Sequence, residues 1–251
     1  MDRLTARIAL VGSPNSTPDI LYATGFMAPD PIVYVEVGRR KAMVVSQLEW
    51  GRAVRIGAKR GITVLTPQLL ELEGAARGKL SEWLKRAIKH LGANAVRVPS
   101  DFPHGIACEL KCARIGVEVL TTPPFPKRRI KGKEELRHIR QAQRAAVIAM
   151  RSACHWIRQS DIDGRGLLRV RGKRLTSEAV QRRIDTILLE HDCFCGETIV
   201  ACGRQGADPH ERGHGALKAH VPIVIDIFPK HLKHGYWGDI TRTIVRGKAF
   251  P

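Results

Sequence analysis

The chain has 251 residues, 43% of them hydrophobic, which suits one large domain or two of ordinary size with a sizeable core. Its formal charge of +18 admits anionic partners, but the basic residues run along the whole sequence and aromatic residues are only 5%, so the expectation is a solvated basic surface rather than a base-stacking nucleic-acid platform. No stretch approaches the roughly 18 apolar residues of a membrane span, the start Met1-Asp2-Arg3-Leu4-Thr5 lacks an apolar leader run, and six cysteines do not make a disulfide-dense secreted domain, so a cytoplasmic location with reduced thiols and no membrane partner is expected.

Along the chain, Ala6 to Val11 is a short apolar run closed by Gly12, a strand by length and punctuation. Two β-branched runs, Pro31 to Val37 and Lys41 to Val45, flank Gly38-Arg39-Arg40 in the manner of a hairpin. Shorter runs of the same kind follow at 62–65, 95–98 and 117–120, with helical stretches between them. In one of these, Leu80, Leu84, Ala87 and Ile88 share a face. Strands alternating with helices predict an α/β layer structure.

Thr121 to Pro126 breaks both periodicities with three prolines, and basic residues from Lys127 to Lys133 follow it, the composition of a solvated linker. A long helix is expected from about Lys133 to Gln159, with Glu134 and Glu135 favoured in its first turn by the helix dipole. Its apolar stripe is Leu136, Ile139, Val147, Met150, Cys154 and Ile157. The glycine- and arginine-rich stretch from Asp161 to Arg174 has the composition of an exposed loop. A second helix begins near Thr176 or Ser177, either a suitable N-cap, and runs to Asp192. Strand-like runs return at 198–200, 221–225 and 240–245.

Chemistry concentrates in Ile223-Val224-Ile225-Asp226-Ile227-Phe228 and in Gly235 to Thr243. Asp226 lies inside an apolar strand-like run, where a carboxylate is costly to bury unless it is paired or metal-bound. A hairpin centred between Leu232 and Lys233 would set Asp226 directly opposite Asp239, where cross-strand Cβ atoms are about 4.5–5.5 Å apart. Two carboxylates held that close repel each other until a divalent cation binds between them, as in two-metal hydrolases. The plainer alternative makes both residues turn-flanking surface acids, more easily for Asp239 beside Gly238 than for Asp226.

These residues resemble a known pattern: a strand-borne Asp, then Gly-Tyr, then Asp-x-Thr-Arg-Thr, matched by Asp226, Gly235, Tyr236, Asp239, Thr241, Arg242 and Thr243. On that basis the chain resembles the creatinase and Xaa-Pro aminopeptidase family of M24 metallopeptidases. Further resemblance lies in Asp208-Pro209-His210, in Arg129 to Ala142, and in Leu21 to Phe26. It implies an amino-terminal creatinase-like mixed-sheet domain at 1–122, a Pro-rich basic linker at 123–132, and an incomplete pita-bread metallopeptidase domain at 133–251. It further implies two divalent metal ions (Mn, Co, Zn or Fe), with Asp226 on one and Asp239 bridging both. His210 lines the substrate side, as a catalytic and substrate-binding residue. The activity implied is hydrolysis of the C–N bond after an N-terminal residue, often Xaa-Pro, and a homodimer is the implied assembly.

The sequence departs from the pattern in two places. Ile227-Phe228-Pro229 replaces the usual glycine after the first Asp, and the turn is a residue or two longer. The family also takes a histidine and two glutamates from strands beyond the second Asp, whereas this sequence stops at Pro251, twelve residues after Asp239. The expectation is therefore a fragment or a pseudoenzyme that does not turn over alone. The second reading is a non-catalytic creatinase-like module that binds an acidic protein or peptide.

Rival motifs carry less. His210-Glu211-Arg212-Gly213-His214 spells the H-E-x-x-H of zincins, which requires a helix, and Pro209, Gly213 and Gly215 oppose one. Cys193 with Cys195, and Cys108 with Cys112, lack thioredoxin or zinc-knuckle spacing and are expected to be buried inert thiols. His231 and His234 fall in the expected turn and are read as solvated.

Overall fold

A computed structural model describes residues 5–6 and 8–249. The chain divides into two compact units, Met1–Ile130 and Lys131–Pro251.

In the first unit, β1 (Thr5–Ala6), β2 (Ile8–Gly12), α1 (Pro18–Thr24), β3 (Ile32–Val37), β4 (Arg40–Val44), α2 (Trp50–Arg60) and β5 (Thr63–Leu65) precede α3 (Leu80–His90), β6 (Ala95–Val98), α4 (His104–Cys112) and β7 (Gly116–Val119). Strands β2-β3-β4-β5 form a mixed sheet, with antiparallel pairings followed by a parallel β4–β5 pair. Strands β1-β6-β7 form a parallel one. Every residue of β3 is buried because the mixed sheet is covered on both faces. Val33, Val35 and Val37 pack with Leu84, Ile88 and Leu110 of α3 and α4. Their neighbours Ile32 and Tyr34 pack with Ile20 of α1 and Ala53 of α2. The one charge in that strand, Glu36, is buried and accepts a hydrogen bond from the Tyr34 hydroxyl at 3.0 Å, as a buried polar group must. The stretch 123–132 contains a 3-10 turn, Pro126–Arg129, whose Arg128 pairs with Asp19 at 2.6 Å.

The second unit contains α5 (Lys133–Arg158), β8 (Asp161–Ile162), β9 (Leu168–Val170), β10 (Lys173–Arg174), α6 (Ser177–Glu190), β11 (Cys193–Phe194), β12 (Ile199–Cys202), β13 (Pro222–Ile227), β14 (Lys230–His231) and β15 (Ile240–Val245). Strands β12-β13-β15 make an antiparallel sheet. Ile223, Ile225 and Ile227 of β13 point into the core with α5 and α6, while Val224 and Asp226 occupy the other face and are half-buried. Small residues dominate the buried face of α5: Ala142, Ala145, Ala146, Ala149 and Ala153 beside Met150, Cys154 and Ile157. The larger residues expected at the start of its stripe are not core, since Leu136 is 39% exposed and Ile139 and Val147 are half-buried. An alanine-lined helix lets the sheet approach closely, and the site depends on that.

Three expectations need correction. The stretch from Asp161 to Arg174 is a three-stranded meander, β8-β9-β10, rather than a loop. It is organised around the Asp163 carboxylate, which accepts from Arg169 Nε at 2.7 Å and from the Arg165 and Leu167 amides at 2.9 and 3.0 Å. The Arg169 bond above all holds that carboxyl down at about 2. Its strands are two or three residues long, too short for alternation to show. Cys108 and Cys112 are exposed rather than buried, on the outer side of α4, whereas Cys193 and Cys195 are buried as expected. His231 is buried and His234 half-buried, for reasons given below. The α6 cap falls on Thr176, whose Oγ1 accepts from the Ala179 amide at 3.2 Å.

Candidate metal centre

β13 and β15 form the expected hairpin, with a different register. Asp226 faces Thr241 and Ile227 faces Ile240. The same register continues to the tip, where Lys230 bridges Trp237 and the His231 amide donates to the Tyr236 carbonyl at 2.9 Å. The hairpin is therefore centred between Lys233 and His234, one residue later than the pattern implied, and Asp239 is not directly opposite Asp226. Because the displacement in pairing is two residues, the side-chain face is preserved. The partner of Asp226 is Thr241, and Asp239 lies two residues along from Thr241, a diagonal neighbour on the same face, at the typical Cα spacing of roughly 7–8 Å.

Thr241 Oγ1 donates to Asp226 Oδ1 at 2.5 Å, which fixes that carboxylate along the strand pair. The exposed Asp239 carboxylate makes no hydrogen bond or ion pair with the described residues. Its main chain is gripped instead. Gln143 of α5 accepts from the Asp239 amide at 2.9 Å and donates to the Asp239 carbonyl at 2.8 Å. This two-point clamp requires the strand to lie against the helix backbone, and Gly238 permits it: a Cβ there would stand 2.7 Å from the carbonyl of Ala142. The sequence offers Gly238 as turn punctuation and Gln143 as a polar residue within an apolar stripe; neither advertises that they meet.

The hairpin tip is fastened to the same helix. His138 of α5 stacks on His234 with ring centroids 4.3 Å apart, and His234 stacks on His231 at 3.8 Å. Tyr236 donates its hydroxyl to Glu135 at 3.0 Å. His231 and His234 each turn Nδ1 back to accept a nearby amide, from Lys233 and Tyr236, while His234 Nε2 is buried with no hydrogen-bond partner among the described residues. An Nδ1 that accepts an amide hydrogen carries no proton, so these contacts are made by neutral rings. Burial, then the facing His231 and His138, push His234 down from 6.5 to about 4.

His210 is exposed in the turn after β12, its amide bonded to Asp208 at 3.1 Å. The segment His210 to His214 is not helical, which removes the zincin reading. Gly213 has φ +80°, and a Cβ there would overlap the Val200 carbonyl. Gln181 and Glu178 of α6 pin this loop through the Arg212 carbonyl at 2.6 Å and the Gly215 amide at 2.9 Å. Among the described residues no three His, Cys, Asp or Glu side chains group closely enough to hold a metal ion. Asp226 and Asp239 are oxygen donors on one open face, and they fit a divalent cation as part of its donor set.

Two outcomes follow from this anchoring. Gln143→Leu should speed hydrogen exchange of the Asp239 amide about tenfold or more, since that is what losing about 1.4 kcal/mol of local hydrogen bonding does; unchanged exchange would show that the clamp is idle. His234 is neutral in the fold and protonates more readily when unfolded, so the stability it contributes is present above 6.5 and lost as pH falls toward about 4. Thermal melts should show a steeper fall across that window for the native protein than for His234→Phe, and equal slopes would contradict it.

Comparison with known proteins bears on the fold. Residues 137–251 match the model of Metallopeptidase family M24. No curated protein matches the chain as a sequence. Among solved structures, the prolidase from Pyrococcus horikoshii OT3 is similar at 21% identity and TM-score 0.71 over 98% of this chain and 62% of its own. The X-Pro aminopeptidase from Thermotoga maritima MSB8 is similar at 17% identity and TM-score 0.73, over 98% of this chain and 64% of its own. The X-prolyl aminopeptidase from Caenorhabditis elegans, a cytosolic enzyme with a di-nuclear active site, is similar at 18% identity and TM-score 0.57, over 85% of this chain and 33% of its own. The chain thus spans less than two thirds of the length of these proteins. Its fold is the α/β, creatinase and pita-bread arrangement they share, and the segment that carries both aspartates matches the model of Metallopeptidase family M24.

Proposed function

We propose that this chain supplies the first half of a metal-dependent peptidase site, acting on the C–N bond after an N-terminal residue, of the Xaa-Pro type. The observation that carries the reading is the placement of Asp226 and Asp239 on one face of the β13–β15 hairpin. A divalent metal held there supplies a Lewis acid that lowers the pKa of water to the neutral range. Asp226, oriented by Thr241, and Asp239, oriented through its main chain by Gln143, are the ligands this chain contributes. His210 is the substrate-side residue in this reading, on a loop whose backbone is tied to α6 and to β12. The remaining donors come from polypeptide outside the chain, in line with the span of the relatives. The match of residues 137–251 to the model of Metallopeptidase family M24 supports hydrolysis of a peptide; the Xaa-Pro preference, the metal identity, a cytoplasmic location and a homodimer are parts of the proposal.

Calorimetry with Mn and Co tests it. The chain should bind metal weakly, and Asp226→Asn and Asp239→Asn should each abolish the binding, as expected when two carboxylates share one cation. Binding that survives both substitutions would contradict the assignment. No binding at all would favour the second reading, a creatinase-like module for an acidic peptide.

A further inference from the structure

The exposed side of α5 carries a feature that neither the core nor the metal site uses. From Leu136 to Arg158, 23 residues, the sequence contains five arginines and no Asp or Glu. Arg137, Arg144, Arg151 and Arg158 recur every seven residues, and all are exposed, as is Arg140. On an α-helix that spacing advances about 10.5 Å per step and drifts only ~20° per heptad, so the four form a row about 32 Å long on one side. The opposite side of the helix is the alanine-lined core face.

Fold stability does not account for this row. Exposed helix charges ordinarily alternate in sign at i and i+4, and like charges at that spacing are destabilising. Here Arg140 and Arg144 are such a like pair. Arg137 reaches only Glu134, at 3.5 Å and with both side chains about two-thirds exposed, while Arg144, Arg151 and Arg158 make no ion pair among the described residues. On the neighbouring α6, Arg183 donates to Ser152 of α5 at 2.8 Å and lies 5.1 Å from the centroid of the Trp156 ring, which widens the basic face and covers its one large aromatic.

From this row we infer that the outer face of α5 is a docking surface for the phosphate backbone of double-stranded DNA, bound without regard to sequence. Arginine forks match phosphate oxygens in pairs. A straight row of charges matches a straight, regularly charged rod with one negative charge per about 1.7 Å. A protein partner needs an apolar centre to its interface, and the exposed apolar side chains along this helix are only Leu136 and Ile148, 39% and 43% exposed. With Trp156 covered, this face carries no exposed Trp, Tyr or Phe ring for base stacking, which leaves phosphate contacts dominant. Composition argued against a nucleic-acid partner because the charge is spread along the sequence; the heptad spacing gathers it in space.

Fluorescence anisotropy with a labelled random-sequence 20-base-pair DNA duplex, with folding checked by circular dichroism, is the test. The full chain should bind with a steep salt dependence. Arg144→Gln, Arg151→Gln and Arg158→Gln together should weaken binding about tenfold or more at 0.1 M salt and flatten the log–log salt slope by about 0.9 for each phosphate no longer neutralised. The control neutralises three exposed basic residues of the first unit, Arg39, Lys89 and Lys111, in the same way and should change affinity less than threefold. Equal weakening in the two variants would show that net charge alone acts and would overturn the assignment. So would the absence of binding, or tighter binding of polyglutamate or of an RNA duplex.

Discussion

The contact on which the candidate site depends is the one between Gly238 and the backbone of α5 at Ala142. No side chain fits there. Because none is present, the strand leading to Asp239 lies close enough for the Gln143 amide to take both the N–H and the C=O of that residue. An exposed aspartate at the mouth of a hairpin would otherwise sample many backbone conformations, at an ordering cost of about 1–2 kcal/mol. The alanines of α5 serve the same end, since they allow the sheet to come near the helix between Ala142 and Ala153. Around this contact the rest of the hairpin falls into place: His138, His234 and His231 stack at the tip, and Thr241 holds Asp226 further along.

Asp226 and Asp239 are consequently positioned by different means. Asp226 is set by strand alternation, with Ile225 and Ile227 in the core and the carboxylate on the opposite face. Asp239 lies just before β15 begins and is set by the helix. A change in α5 that leaves the sheet intact would therefore move one ligand without the other. The second unit carries this arrangement in its own core, built from α5, α6 and the sheet.

Much of the fold is legible in the sequence because its signals are local. The β-branched runs at 32–37 and 222–227 and the long helix from Lys133 fall where their patterns place them. The aspartates stand out because an acid inside Ile-Val-Ile-Asp-Ile-Phe breaks an apolar run, and the Asp-x-Thr-Arg-Thr motif carries the family resemblance with it. What stayed hidden is set by tertiary contact. The hairpin is centred one residue later than expected because its register is fixed by pairings at the tip, Lys230 with Trp237 and His231 with Tyr236, that no local pattern displays. His231 and His234 look locally like solvated turn residues, since nothing near them tells that His138, more than ninety residues earlier, stacks on His234, which in turn stacks on His231. The meander at 161–174 is held by one carboxylate, Asp163, and shows no alternation to read.

The central claim is that Asp226 and Asp239 together form part of one metal centre. The most direct measurement is anomalous diffraction from crystals of the chain soaked in manganese. The account expects an anomalous peak between the Asp226 and Asp239 carboxylates on the open face of the hairpin, with ligand distances of about 2.0–2.6 Å. A peak on the histidines of the 210–214 loop, or on the stacked histidines at the hairpin tip, with none between the two aspartates, would contradict it.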